Sequence, residues 1–305
     1  MTGLASLLGN RKAVAGLTLL LAFAVLALVG PALVGDPTDF VARPLDPPSA
    51  AHWLGTTGRG QDVFWQTVAG ARPTLAVGFL VGVVVVAVGA AIGAAAGYVG
   101  GWLDDLLTLL INIFLVIPGL PLMVVVAAYL TAGPGTIAAV LIFTGWAWTA
   151  RVVRAQTQTL AARDFVAAAV VSGESRLRIV LVEILPNMAP LLLSSFAGAV
   201  LYAIGAQVGL EFLGLGDVER VSWGTILYWA RNDAALITGS WWVFVPAGLC
   251  VGLVGCALAL VGSACDELAL PRLRQSKAYR QVVGTRGGRP LATVVLPAGN
   301  PEAKP

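Results

Sequence analysis

Charge is what this 305-residue chain has least of: 11% of its residues are Asp, Glu, Lys or Arg, against about a quarter in an ordinary soluble domain. With 58% of its residues hydrophobic, it cannot cover itself with polar surface in water. Histidine occurs once, at His52, which excludes a multi-histidine metal centre or a His-based relay. The three cysteines, Cys250, Cys256 and Cys265, fall in or at the end of one apolar run without metal-ligand spacing. They read as small packing residues. A net charge of +3, spread along the chain, gives no concentrated basic face and excludes a nucleic-acid binder.

What the chain has instead is long uncharged runs. A bilayer core about 30 Å thick asks for roughly 20 apolar residues per helix, and six segments approach that length. The first, Ala13 to Val34, follows Arg11 and Lys12; it is long for a secretory h-region and lacks a small-residue cleavage site, so a retained helix is expected. The second, Thr74 to Tyr98, carries Gly78 and Gly82, then Gly89, Gly93 and Gly97. That i+4 spacing puts each group on one helix face, where a second backbone can approach closely. Leu106 to Leu130 contains Pro118, Gly119 and Pro121, which predict a kink or break. Thr136 to Ala150 is short but can continue helically past Arg151 and Arg154. Ile184 to Leu210 and Trp241 to Ala264 complete the set.

Basic residues then orient the chain. The N-terminal segment, the stretch from Arg151 to Arg178 and the tail from Arg272 to Lys304 hold most of the Lys and Arg, whereas the opposite loops hold only Arg43, Arg59, Arg72, Arg220 and Arg231. By the positive-inside rule both termini and the Arg151 to Arg178 segment are expected in the cytoplasm. Trp53, Trp223, Trp229, Trp241 and Trp242 cluster in or beside the external segments, as an interfacial aromatic belt would. The expected organisation is a cytoplasmic N-terminus (1–12), a first span (13–34), an external loop (35–73), a core of five further spans (74–273) and a cytoplasmic tail (274–305). The tail's Gly, Pro and basic composition predicts disorder.

Between the fourth and fifth runs lies Asp164-Phe-Val-Ala-Ala-Ala-Val-Val-Ser-Gly173. Asp164 is placed to cap a short helix and Gly173 to stop it. A second short helix is expected from about Ser175, and Pro186 marks where the chain turns back into the bilayer. Two short helices joined at a glycine make a compact knob that another protein can grip.

Here the sequence resembles the permease subunits of importers with an ATP-binding cassette, the binding-protein-dependent transport components of the inner membrane. The match rests on Asp164, Phe165, Ala168, Ala169, Gly173, Leu185, Pro186 and Asn187, with Val166 within it and Ala167 replacing the family's glutamate. Three further elements are similar to the shorter, C-type subunit of dipeptide and oligopeptide permeases: Leu54 to Asp62 with Gly70 to Leu75, Gly97 to Asp104, and Glu211 to Gly216. The resemblance implies an all-α integral membrane protein of the type I importer permease fold, with six transmembrane helices and an ATPase-coupling helix at about 164–174. It further implies a bacterial plasma-membrane location, a second homologous permease subunit, one or two ATP-binding subunits and an extracytoplasmic peptide-binding protein. ATP and Mg would sit on the partners; this chain has no Gly-x-x-x-x-Gly-Lys-[Ser/Thr] loop and is expected to bind no cofactor.

Three residue groups carry narrower expectations. Arg59 and Asp62 are placed to form a local salt bridge in the external loop. Asp104 and Asp105 are placed to cap the third helix. Gln207 and Glu211, one turn apart near the outer end of the fifth span, are candidates for the substrate path or, equally, for the interface. Import of another small solute such as nickel or haem on the same scaffold, and a self-sufficient secondary transporter, are the alternatives. The lone histidine disfavours the first, and the lack of an internal repeat the second.

Overall fold

A computed structural model gives the fold and describes residues 9–269 except 34, 118, 130 and 132. The 274–305 tail and Pro118 therefore lie outside the described residues. The regular structure is helical, and the one β pairing among the described residues is an isolated bridge between Thr56 and Asp62.

Helix α1 (Arg11–Leu33) leads through a loop to α2 (Val63–Val99), followed by α3 (Gly101–Val116), α4 (Gly119–Tyr129) and α5 (Pro134–Ala161). The short α6 (Asp164–Val171) and α7 (Arg176–Arg178) come next, then a π-helix (Ile179–Ile184) and the single turn α8 (Leu185–Asn187). Helix α9 (Ala189–Phe212), the surface helix α10 (Trp223–Asn232) and α11 (Val245–Ala269) follow within the described residues. Five helices, α1, α2, α5, α9 and α11, are each long and apolar enough to cross a membrane. The third expected span is the broken pair α3 and α4, of 16 and 11 residues, split beside Pro118 as its proline and glycine predict. Neither half alone has the length of a crossing.

Helix α2 departs most from expectation. It starts at Val63 rather than Thr74 and runs for 37 residues with Pro73 inside, about 55 Å of helix. Extending the external loop to residue 73 overlooked what supports the turns before Pro73. Asp62 accepts hydrogen bonds from the Phe64 and Trp65 amides at the helix start. The Thr74 hydroxyl bonds the Gly70 carbonyl, one turn back beside the proline. Trp223 then covers these turns: its indole N–H donates to the Thr67 carbonyl (2.9 Å) and its amide to the Thr74 hydroxyl (3.2 Å). Fully buried, Trp223 is a core residue and not part of an interfacial belt.

The two glycine groups of α2 do what their spacing predicts, each toward a different helix. Gly78 and Gly82 lie against Ile204 and Val200 of α9. Gly89, Gly93 and Gly97 lie against the α5 backbone around Trp146, Ala150 and Arg154. Without hydrophobic drive between helices in lipid, such close van der Waals approach is the main source of their cohesion. One apolar cluster joins α1, α2, α9, α10 and α11 through Phe23, Leu75, Ile204, Trp223 and Val254. Another holds α2, α5 and α9 together through Val81, Leu141 and Ala203.

Candidate functional site

The knob is built from α6 and the turns after it. Arg163, not Asp164, is the residue flanking the start of α6; Asp164 stands in its first turn, where a carboxylate favours the helix dipole. The stop is as expected. Gly173 adopts φ +79°, its amide donates to Val170 O, and the Glu174 amide reaches back to Ala169 O (3.1 Å). That is a Schellman closure, which needs a left-handed residue at this position.

One face of α6 holds it down. Val166 is 2% exposed and packs, with Ala169 at the edge, against Ala90 and Ala94 of α2, Val153 of α5, and Ile179 and Ile184 of the π-helix. The other face carries Asp164, Phe165, Ala167 and Ala168, all exposed, and continues through Val171 to Leu177. Exposed apolar residues rimmed by Arg163, Glu174, Arg176 and Arg178 are the composition of a protein contact.

The π-helix precedes Pro186, which lacks the N–H of a regular ladder and crowds the carbonyl four residues back. The Leu185 amide bonds Val180 O, five residues back. Leu185 is partly buried against the cluster under α6, while Pro186 and Asn187 are exposed and the Asn187 side chain donates to Glu183 O (2.7 Å). The knob is thus tied to α5 on one side and, through a continuous rod of turns, to α9 on the other.

At the same end of the bundle Asp104, in the first turn of α3, does more than its expected capping role. Asp104 takes the Arg154 guanidinium of α5 through two hydrogen bonds instead of serving only its own helix. No sequence signal pairs these two residues.

The opposite end is closed by the loop before α2 and by α10. Asp62 and Arg59 do not pair with each other. Asp62 holds His52 (2.8 Å) besides starting α2, whereas Arg59 lies over the Trp229 ring (4.6 Å). Asp233 sits against the Gly58 backbone, and burial pushes its carboxyl up, opposed by Arg59. Gln207 and Glu211 are 1% and 5% exposed, enclosed between α9 and α10. Glu211 accepts from the Gln207 amide (2.9 Å) and from the Ser222 hydroxyl (2.5 Å), and Gly224 approaches it closely. In this chain they join two helices and face no open surface. Trp223, which anchors this cap, was expected in an interfacial belt; its position directly after Ser222, inside the Ser-x-x-Thr start of α10, was the available signal.

Residues 87–275 match the family described as binding-protein-dependent transport system inner membrane component. The chain belongs to that family. This inner-membrane component is similar to the dipeptide transport system permease protein DppC of Bacillus subtilis, at 34% identity over 87% of this chain and 83% of the relative. It is similar to the oligopeptide transport system permease protein OppC of Mycobacterium bovis, at 37% over 82% and 87%. A putative peptide transport system permease protein of Brucella abortus is 31% identical over 88% and 90%. The family assignment and the five apolar helices make the chain a multi-pass membrane protein and a transport component.

Proposed function

We propose that this inner-membrane component is the permease subunit of an ATP-binding-cassette importer that carries short peptides, from dipeptides to oligopeptides, into a bacterial cell. The observation that carries the reading is likeness over more than four-fifths of the chain to permeases named for dipeptide and oligopeptide transport. The subunit pairs with a second homologous permease, receives cargo from an extracytoplasmic peptide-binding protein, and rests on one or two ATP-binding subunits that hold ATP and Mg. In this reading α3 and α4 share one of six crossings, which puts both termini on one side, and the Lys and Arg distribution supports the cytoplasm as that side.

Asp164, Phe165, Val166, Ala167, Ala168, Ala169 and Gly173, with Leu185, Pro186 and Asn187 behind them, form the coupling element in this reading. Its exposed face sits in a cleft of an ATPase subunit. Closure of the ATPase pair displaces α6, and because α6 is joined to α5 by only residues 162 and 163 and is packed on the rod that leads to α9, both spans move as rigid bodies. The external cleft of about 250 Å³ beside Arg59, Gln66, Glu219 and Trp229 lies on the side that receives the binding protein.

The test is reconstitution of the complex purified through this chain from its native membrane, with peptide uptake measured with and without ATP and binding protein. Uptake that needs both, and a Gly173→Val variant that loses uptake while the second permease still co-purifies, is the expected result. Uptake of solute by the chain alone without ATP would replace the importer with a secondary transporter. ATP-driven uptake of a metal ion or haem in place of peptide would keep the scaffold and change the cargo.

A further inference from the structure

Helices α1 and α2 touch near one end and then part. Gly30 of α1 lies against the Val68 side chain of α2, whereas Gly16, toward the other end of α1, lies against the Ala257 carbonyl of α11. Between these contacts the small side chains of Ala24, Ala27 and Ala76 leave a groove of about 290 Å³, bounded by the rings of Phe23 and Phe79. Both rings are held from behind. Phe23 stands edge-on to Trp223 (5.7 Å) and Phe79 lies tilted on Phe196 (6.0 Å), so the groove is formed before anything enters it.

The lining is apolar except for Arg72. Arg72 comes one turn after Val68 along α2, and Ala27 one turn before Gly30 along α1, so the arginine stands at the end of the groove nearer the loop that joins these helices. Ala27 lies about 9 Å inside the end of α1 at Leu33. On the same side of the bundle Arg59 meets Glu219 and the Trp229 ring, Arg220 meets Asp217, and Arg231 lies over the Phe212 ring. Arg72 is exposed and has neither an ion pair nor a ring partner among the described residues. A guanidinium beside hydrocarbon is costly unless its stem carries it to a headgroup or an anion comes to it.

We propose that this groove binds an anionic phospholipid, with one acyl chain lying between Phe23 and Phe79 and the phosphate paired with Arg72. The inference goes beyond the importer reading and needs only the membrane location. Lipid chains are as apolar as the groove, so an acyl chain leaving bulk lipid gains packing contact and no hydrophobic stabilisation. Selectivity therefore falls to Arg72. Its planar fork matches two phosphate oxygens, and a headgroup without an ammonium of its own leaves the phosphate charge uncompensated until the arginine meets it. The groove holds the chain below, and so fixes where that phosphate stands.

The test is native mass spectrometry of the complex purified through this chain, stripped of lipid and incubated with equal amounts of phosphatidylglycerol and phosphatidylcholine of identical acyl chains. The lipid still attached after collisional activation is identified. The wild type should retain phosphatidylglycerol over phosphatidylcholine by about fivefold, as one basic side chain contributes beside an anionic lipid surface. Arg72→Gln should bring that ratio close to one, and Ala76→Trp, which fills the groove, should lower the amount of phosphatidylglycerol retained. Arg72 and Ala76 are both exposed, so neither substitution disturbs the core. Arg43→Gln, at an exposed loop arginine outside the groove, is the control expected to keep the wild-type ratio. Equal retention of the two lipids by the wild type would overturn the inference, as would a wild-type ratio in Arg72→Gln. Undiminished phosphatidylglycerol on Ala76→Trp would make Arg72 a headgroup contact without a groove and also overturn it. Loss of a co-purifying membrane subunit from Ala76→Trp would make the groove a subunit contact, with the same consequence.

Discussion

Asp104 and Arg154 stand 50 positions apart in the chain and meet side-on, Nε to Oδ1 at 2.5 Å and Nη2 to Oδ2 at 2.7 Å. Thr108 and Gln158 add hydrogen bonds to the same carboxylate. A planar guanidinium held in two places fixes direction as well as distance, so the first turn of α3 is oriented on α5. Ten residues beyond Arg154 the chain enters α6, the proposed coupling element.

Asp104→Asn keeps the shape and removes the charge. It should lower stability in detergent by about 1.5–3 kcal/mol, the range for hydrogen bonds to charged groups, seen as a drop in melting temperature. The exchange Asp104→Arg with Arg154→Asp should restore part of it. A single variant that melts with the wild type would show that the pair does not hold α3 to α5.

Gly93 makes a sharper demand. A Cβ there would run into the Ala150 carbonyl and stand 3.0 Å from the Arg154 amide, and backbone cannot move aside as a side-chain tip can. Gly93→Leu should therefore separate α2 from α5 and cost more than the roughly 1–3 kcal/mol typical of overpacking. Monodisperse yield after detergent extraction is the readout. Gly198→Leu, which meets open space, is the control expected to leave that yield unchanged.

The contrast shows what was legible in the sequence. The i+4 spacing marked Gly93 as a contact residue because helical periodicity is local, and the same locality exposed the knob, its Gly173 stop and the break beside Pro118. It did not tell which helix Gly93 would meet. Asp104 and Arg154 were legible only as separate charges, since pairing over such a separation is a property of packing. The loop drawn to residue 73 missed the first turns of α2 for a related reason: proline is locally a helix breaker, but the Thr74 hydroxyl and Trp223 support the turns on either side of Pro73. Glu211 and Gln207 were recognised as an unusual polar pair on a span, and their partner Ser222 comes from outside it.

That last pair supports a prediction of relative costs. Glu211 ties the end of α9 to the start of α10, because Ser222, whose hydroxyl it accepts, also accepts the Thr225 amide at the head of α10. Glu211→Gln retains one carbonyl acceptor, and the Gln207 carbonyl oxygen, which has no partner, can receive the new amide after a side-chain flip. A loss within about 1 kcal/mol is expected for it. Glu211→Leu instead leaves the buried Gln207 amide without an acceptor, and an orphaned polar group of this kind costs about 1–3 kcal/mol. The double variant Gln207→Leu with Glu211→Leu removes both members, so it should be more stable than Glu211→Leu alone. Melting temperatures of the three variants decide the matter. If Glu211→Leu melts with Glu211→Gln, the carboxylate does not hold the cap, and α10 is kept in place by its apolar packing, through Trp223 and Ile226.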